Sequence, residues 1–121
     1  MDIWIKDSLE NRQNIRKAFI YAGMGDFEMI ERIQFVPEWT DFILNNGLKL
    51  YILTDMKGLE GFSFEECLSI TQIGKLNDIE VPFMHINQLI ANKKAVNRPK
   101  DQIDVIELER IKKLRTEMGF D

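Results

Sequence analysis

Hydrophobic and polar residues alternate from the start of the chain. In "MDIWIKD", Ile3 and Ile5 alternate with Asp2, Trp4 and Lys6, the two-residue period of a strand with one buried face. The period then lengthens. "SLENRQNIRKAFIYAG" sets Leu9, Ile15, Phe19 and Ala22 at helical spacing, behind a candidate N-cap, Ser8, and before a candidate stop, Gly23. "GDFEMIERI" predicts a second, short helix with Asp26 near its start, and Pro37 interrupts the pattern.

The strand period returns in "WTDFILNNGLKLYILTDMKG". Two β-prone runs, near 40–44 and 48–54, flank Asn45-Asn46-Gly47, residues that supply the positive φ of a tight turn, so a hairpin is expected. On its second strand Lys49, Tyr51, Leu53 and Asp55 share one face, and Leu48, Leu50, Ile52 and Thr54 the other. "SFEECLSI" carries Ser63 and Glu66 at capping-box spacing. "TQIGKL" and "IEVPFMH" about Asn77-Asp78 predict a second hairpin, with Pro82 pointing to an edge strand. "INQLIANKKA" reads as a short helix capped at Asn87. The last helix runs from about Pro99 to Met118, with Ile103, Ile106, Leu108, Ile111, Leu114 and Met118 as its apolar stripe. This order is that of an α+β domain rather than of repeated parallel βαβ units. With 121 residues and no internal repeat or linker, a single domain, 1–121, is expected.

Composition adds little beyond a soluble class: 45% of residues are apolar and 30% charged. No apolar run approaches the roughly 18 residues of a membrane span, no signal-peptide pattern opens the chain, and the lone Cys67 suits a reducing compartment, so a cytoplasmic location is expected. Charge is more informative. The net charge is −4, yet "ANKKAVNRPK" holds Lys93, Lys94, Arg98 and Lys100 and no acid. An acidic body argues against nonspecific duplex binding, whereas a small basic site within it suits a compact anion. The plainer alternative is a solvated basic loop.

The same segment holds the strongest candidate chemistry. Pro99 suits the first position of a helix, which places Lys100, Asp101 and Asp104 in its first turn, with Asp101 and Asp104 on one face. A helix N-terminus flanked by Arg98 and Lys100 is a candidate phosphate site, because the helix dipole and unpaired amides favour an anion. The competing reading is a well-capped helix whose acids complement the dipole and fasten Arg98. Elsewhere, His85 is expected to pack or hydrogen-bond locally, and Cys67 to be a small core residue. Gly58 and Gly61 read as loop glycines without a phosphate-binding fingerprint. Trp39, Phe42, Phe62 and Phe64 read as core rather than as a base-stacking platform.

"INQLIANKKAVNRPKDQIDVIELERI" resembles the C-terminal signature of minimal bacterial nucleotidyltransferase-like proteins, in the DNA-polymerase-β-type superfamily near the abortive-infection toxin nucleotidyltransferases. The matching positions are Lys93, Arg98, Lys100-Asp101 and Asp104. "MDIWIK" resembles the family's acid-bearing strand, and "LKLYILTDMKGLEGFSFEE" a later strand with its following Gly-Phe segment. The resemblance implies a nucleotidyltransferase-like fold, a mixed sheet packed by helices with two β-hairpins and a C-terminal helix. It sets Asp2 on the second carboxylate of the paired-acid motif, so that the first carboxylate and a nucleotide-holding Gly-Ser segment would precede Met1. A longer native chain would restore them.

In that family carboxylates hold divalent metals that neutralise phosphates and activate the attacking hydroxyl. Here Asp2 is the implied catalytic and metal-binding residue, with Mg²⁺ held weakly. The third acid's position falls on Tyr51, a poor Mg²⁺ ligand; Asp55 and Asp41 are candidate substitutes. Lys93, Arg98 and Lys100 would contact the phosphates of a nucleoside triphosphate or an RNA end, with Asp101 and Asp104 orienting Arg98. The expectation is a nucleotidyltransferase-like protein without efficient catalysis. The alternative is a non-catalytic, antitoxin-like interaction module, since the family often sits in toxin–antitoxin and phage-defence systems. Self-association, as a homo-oligomer or with a partner protein, is expected through the first strand or helix, with Ile3, Trp4 and Ile5 exposed.

Overall fold

A computed structural model describes residues 1–35 and 41–119. Pro37, Trp39 and Thr40, the residue at which the first hairpin strand was expected to begin, lie outside the described residues. Among those described, four α-helices, one short 3-10 helix and two small sheets form a mixed α/β protein consistent with an α+β class. They group into two compact units, Met1–Asp55 and Met56–Asp121.

In the first unit, strand β1 (Asp2–Trp4) leads into helix α1 (Leu9–Tyr21), then a 3-10 helix (Glu28–Glu31), and then the hairpin of β2 (Asp41–Ile43) and β3 (Lys49–Leu53). Ser8 caps α1 by accepting from the Asn11 amide at 3.1 Å, and Gly23 follows its C-cap at φ +78°, where glycine meets no steric penalty. The sheet order is β1-β3-β2. β1 runs parallel to β3, and β2 antiparallel to it. The two-residue period decides which face is buried: Leu50 and Ile52 of β3 join Phe19, Ile30 and Phe35 in the core. Phe19, Phe27 and Phe42 add an edge-to-face trio with centroids 5.0–5.8 Å apart.

Arg12 fastens this core from outside the sheet. Its Nη1 donates to the Ile30 and Ile33 carbonyls at 2.9 and 2.6 Å, its Nε to Asp7 at 2.7 Å, and its guanidinium lies 4.4 Å from the Phe35 ring centroid. Arg16, one turn on, pairs with Asp26 and Glu31. The charged face of α1 thereby holds the 3-10 segment that its apolar face packs against.

Three expectations are corrected here. Ile3 and Ile5 are half-buried against the core rather than exposed. Trp4, on the other face, is also half-buried and donates its indole N–H to the Thr54 carbonyl at 3.2 Å. Leu9 and Ala22 are exposed, so α1 buries a narrower stripe, centred on Phe19 and Ile15, than its spacing suggests.

The second unit contains α2 (Phe64–Ser69), the hairpin of β4 (Gln72–Leu76) and β5 (Ile79–Phe83), α3 (Ile86–Val96) and α4 (Pro99–Glu117). Ser63 and Glu66 close the capping box of α2. Asn77 and Asp78 both take positive φ, the two-residue turn that matches strand twist. The Phe83 ring lies over Gly74, filling the gap that the missing side chain leaves. α3 is capped by His85, not Asn87: its Nδ1 accepts from the Asn87 amide at 3.0 Å. Among the described residues of this unit the buried set is small, comprising Leu59, Cys67, Ile90 and the carboxylate Asp101. Burial pushes the Cys67 thiol up, which keeps it an inert core group.

The apolar stripe expected on α4 is also corrected. Leu108 is half-buried, but Ile103, Ile106, Ile111, Leu114 and Met118 face solvent. α4 instead meets α3 through Asp101, Asp104 and Glu109, which pair with lysines of α3.

The loop before α2 explains Gly58. It sits at φ +89°, and a Cβ there would lie 2.6 Å from the Ala91 carbonyl oxygen and 2.8 Å from Ala95 Cβ. Asn92 secures the same loop by donating to the Lys57 carbonyl at 2.9 Å. Gly58→Ala should therefore destabilise the protein by about 2–3 kcal/mol through φ strain and overlap with helix backbone. Gly61→Ala, with nothing near its added Cβ, should change stability by less than about 0.5 kcal/mol. Urea unfolding followed by circular dichroism compares the two; equal midpoints would refute the close approach.

Candidate functional site

The residues singled out between 93 and 104 converge at the joint of α3 and α4. Asn97 ends α3 in the left-handed region at φ 56°, returning its N–H to the Lys93 carbonyl at 2.9 Å. Arg98 follows as the N-cap of α4, and Pro99 occupies its first turn without wasting a donor. Two residues thus reverse the chain and aim Lys93 and Arg98 at one carboxylate.

That carboxylate, Asp101, is 0% exposed. Its Oδ2 accepts from the Arg98 backbone N–H at 3.0 Å and from Arg98 Nε at 2.7 Å, and its Oδ1 from Arg98 Nη2 at 3.3 Å. Lys93 Nζ lies 3.5 Å from Asp101 Oδ1 and 3.1 Å from Asp104 Oδ2. The Arg98 side-chain hydrogen bond, its backbone amide and the charges of Arg98 and Lys93 together hold the Asp101 carboxyl down at about 2, against burial, which pushes the other way.

The basic segment is therefore less basic in the fold than along the chain. Lys93 serves two acids, Lys94 pairs with Glu109 at 3.2 Å, and Arg98 is engaged by Asp101. Lys100 is exposed and enters no salt bridge among the described residues. Half of the Arg98 side chain faces solvent while its inner edge is fixed. Chemically, this is a partly exposed guanidinium, held on one side by Asp101, next in sequence to the start of a helix that carries an exposed ammonium, Lys100.

The first unit carries a separate row. Asp2 on β1 pairs with Tyr51 on β3, and Tyr51 pairs with Asp41 on β2. Cross-strand partners share a face, so Asp2, Tyr51 and Asp41 lie side by side on the face opposite the core. Neighbouring strands are about 4.8 Å apart, which sets the two acids' Cα atoms about 10 Å from each other with a phenol between them. Asp55 lies beyond the end of β3. Among the described residues no three His, Cys, Asp or Glu side chains group so as to hold a metal ion. The row does not fit a divalent cation shared by several carboxylates.

The sequence missed Asn97, whose signal was an asparagine immediately before Arg-Pro, a residue that tolerates left-handed backbone. It also missed Glu109, whose pairing with Lys94 depends on how α3 and α4 meet rather than on any local spacing. Compared with models of known protein families, with curated proteins and with solved structures, the chain matches none.

Asp101 gives the site a pH signature. A folded value near 2 lies below the ordinary aspartate range, so its contribution is complete above about pH 4 and is lost as pH falls toward 2. Asp7, Asp26 and Glu31 are also held low, by Arg12 and Arg16, so wild type should lose stability on the acid side from both units. Asp101→Asn should lower stability at pH 7 by about 2 kcal/mol, toward the low end for a broken buried pair because Arg98 can rehydrate. The gap from wild type should narrow between about pH 4 and pH 2. A gap that stays constant across this range, measured by urea titration, would refute the assignment.

Proposed function

We propose that this chain is a nucleotidyltransferase-like protein with a degenerate metal site, which binds the phosphate of a nucleotide or an RNA end without efficient catalysis. The observation that carries the reading is the wholly buried Asp101 fixing Arg98 at the start of α4, with Lys93 behind it and Lys100 exposed beside it. A carboxylate is costly to bury, and an exposed Asp or Ser could cap a helix at less cost. Burying it makes sense where the guanidinium it orients must hold one geometry, as planar recognition of a phosphate requires. The segment's resemblance to the C-terminal signature of minimal nucleotidyltransferase-like proteins points the same way.

The degenerate part of the reading rests on the sheet row. At Asp2 a magnesium ion would find one carboxylate, with Tyr51 rather than an acid at the neighbouring position. That is too few ligands for tight binding. The chain's residues would hold and orient phosphate rather than drive transfer. A second reading, a non-catalytic antitoxin-like interaction module, is favoured by the exposed apolar residues of the β4–β5 hairpin, Ile73, Leu76, Ile79 and Phe83.

Calorimetric titration of ATP, CTP, GTP and UTP, with and without Mg²⁺, tests the first reading. Binding should be weak, fall with added salt, and drop about tenfold or more in Arg98→Ala, the loss of one charge-assisted hydrogen-bonding group. Arg98→Lys should recover little of it, because a point charge does not replace a planar fork. No heat at millimolar nucleotide would sink the phosphate reading and leave the interaction module.

A further inference from the structure

The outward face of α4 is self-complementary when one copy is laid antiparallel on another. Its central line runs Ile103, Glu107, Arg110, Leu114, Glu117, in alternating four- and three-residue steps, the spacing by which one helix packs along another. Ile103 and Leu114 are 63% and 47% exposed, and Ile106 and Ile111 flank the line at 66% and 46%. The other face of α4 is already engaged with α3 through Asp101, Asp104 and Glu109, so the outward face is available without disturbing the joint.

We infer that this face of α4 pairs antiparallel with the same face of a second copy of the chain. A two-fold axis passing between residues 108 and 109 sets Ile103 against the second copy's Leu114 and Glu107 against its Arg110, and each contact occurs twice, as a two-fold interface requires. The next positions outward, Lys100 and Glu117, are again opposite in charge. A parallel arrangement would instead oppose Glu107 to Glu107 and Arg110 to Arg110, which is unfavourable, so charge selects the antiparallel one. Within one chain Glu107 and Arg110 meet only at 3.7 Å, with their side chains 57% and 71% exposed. Such a pair holds its partners weakly, and exchanging it for an intermolecular one costs little.

The occupant is thus a second copy rather than a different protein, because apolar and charged positions alike find their complements on the same face. A single helix pair buries a modest area, which places the association in the micromolar range. This inference needs no ligand and shares only Lys100 with the phosphate reading; its central line lies on the opposite side of α4 from Asp101.

Sedimentation velocity from about 1 to about 100 µM, the range in which a small interface associates, reads the mass directly. Wild type should pass from monomer to dimer across it. Glu107→Arg alone and Arg110→Glu alone each oppose like charges across the axis and should raise the dissociation constant about tenfold, whereas combining both substitutions should restore wild-type association. Ile103→Asp should give a monomer throughout. All three substituted positions are exposed, and unchanged circular dichroism of each variant would confirm folding. A monomeric mass for wild type across the range would overturn the proposal and assign the face to another occupant. So would a dimer indifferent to the single charge reversals, or one that the double reversal fails to restore.

Discussion

The second unit is organised around a carboxylate that has no contact with water. An ionised aspartate in that position is tolerable only if its oxygens are fully supplied with donors and its charge is matched nearby. Asp101 meets both conditions by drawing on the Arg98 guanidinium and amide and on the Lys93 ammonium. The donors sit on two helices, so the same requirement fixes how α3 and α4 meet. Asn97 in the left-handed region and Pro99 at the helix start are the backbone geometry that makes this convergence possible in a turn of so few residues. Leu59, Cys67 and Ile90 supply apolar burial, but three such residues do not specify a helix–helix angle as tightly as a multiply bonded carboxylate does.

The first unit meets the same problem of a small core in another way. Its apolar residues come from both edges of the sheet, from α1 and from the 3-10 segment, and two arginines on α1 bridge what packing alone would leave loose. Arg12 is the more informative. It satisfies two carbonyls at the end of the 3-10 segment, where helix geometry leaves acceptors unpaired, while its flat face covers Phe35. The opposite face of the sheet is left to Asp2, Tyr51 and Asp41. Tyr51 stands between the two acids in the cross-strand register, so they are not neighbours on the sheet.

Local chemistry was readable in the sequence wherever a residue acts through its immediate neighbours. Ser8, the Ser63–Glu66 box, the Asn77-Asp78 turn and Pro99 all act over a few residues, and each lies where its spacing placed it. The alternation on β3 put Leu50 and Ile52 on one face for the same reason, and in the fold both are buried. What was not readable depends on partners far along the chain. His85 displaced Asn87 as the cap of α3 because an imidazole nitrogen can accept where the preceding strand delivers it. The stripe on α4 was a correct period assigned to the wrong destination: amphipathic spacing says that an apolar face exists, not what it packs against. The helix turns Asp101, Asp104 and Glu109 toward α3, where they pair with Lys93 and Lys94. Of the candidate site, the grouping of Arg98, Asp101 and Asp104 at the start of α4 was legible from helical spacing and Lys93 entered the site only through the resemblance, while the total burial of Asp101 was not legible, since it depends on residues outside α4.

That burial also decides between two readings of the same positive charges. Along the chain, four cations without an acid suggest a strong anion attractor. In the fold, Asp101, Asp104 and Glu109 are brought against them, so four cations face three carboxylates and little net charge is left. An anion arriving at the start of α4 must compete with carboxylates already in place, and long-range attraction contributes little. Recognition there would have to come from short-range geometry: the fixed plane of Arg98, the helix-start amides and the exposed Lys100. Under the phosphate reading proposed above, such a site would discriminate by shape and by the number of oxygens it can engage rather than by charge alone. A terminal phosphate group, which presents several oxygens to a guanidinium, suits it better than a simple monovalent anion.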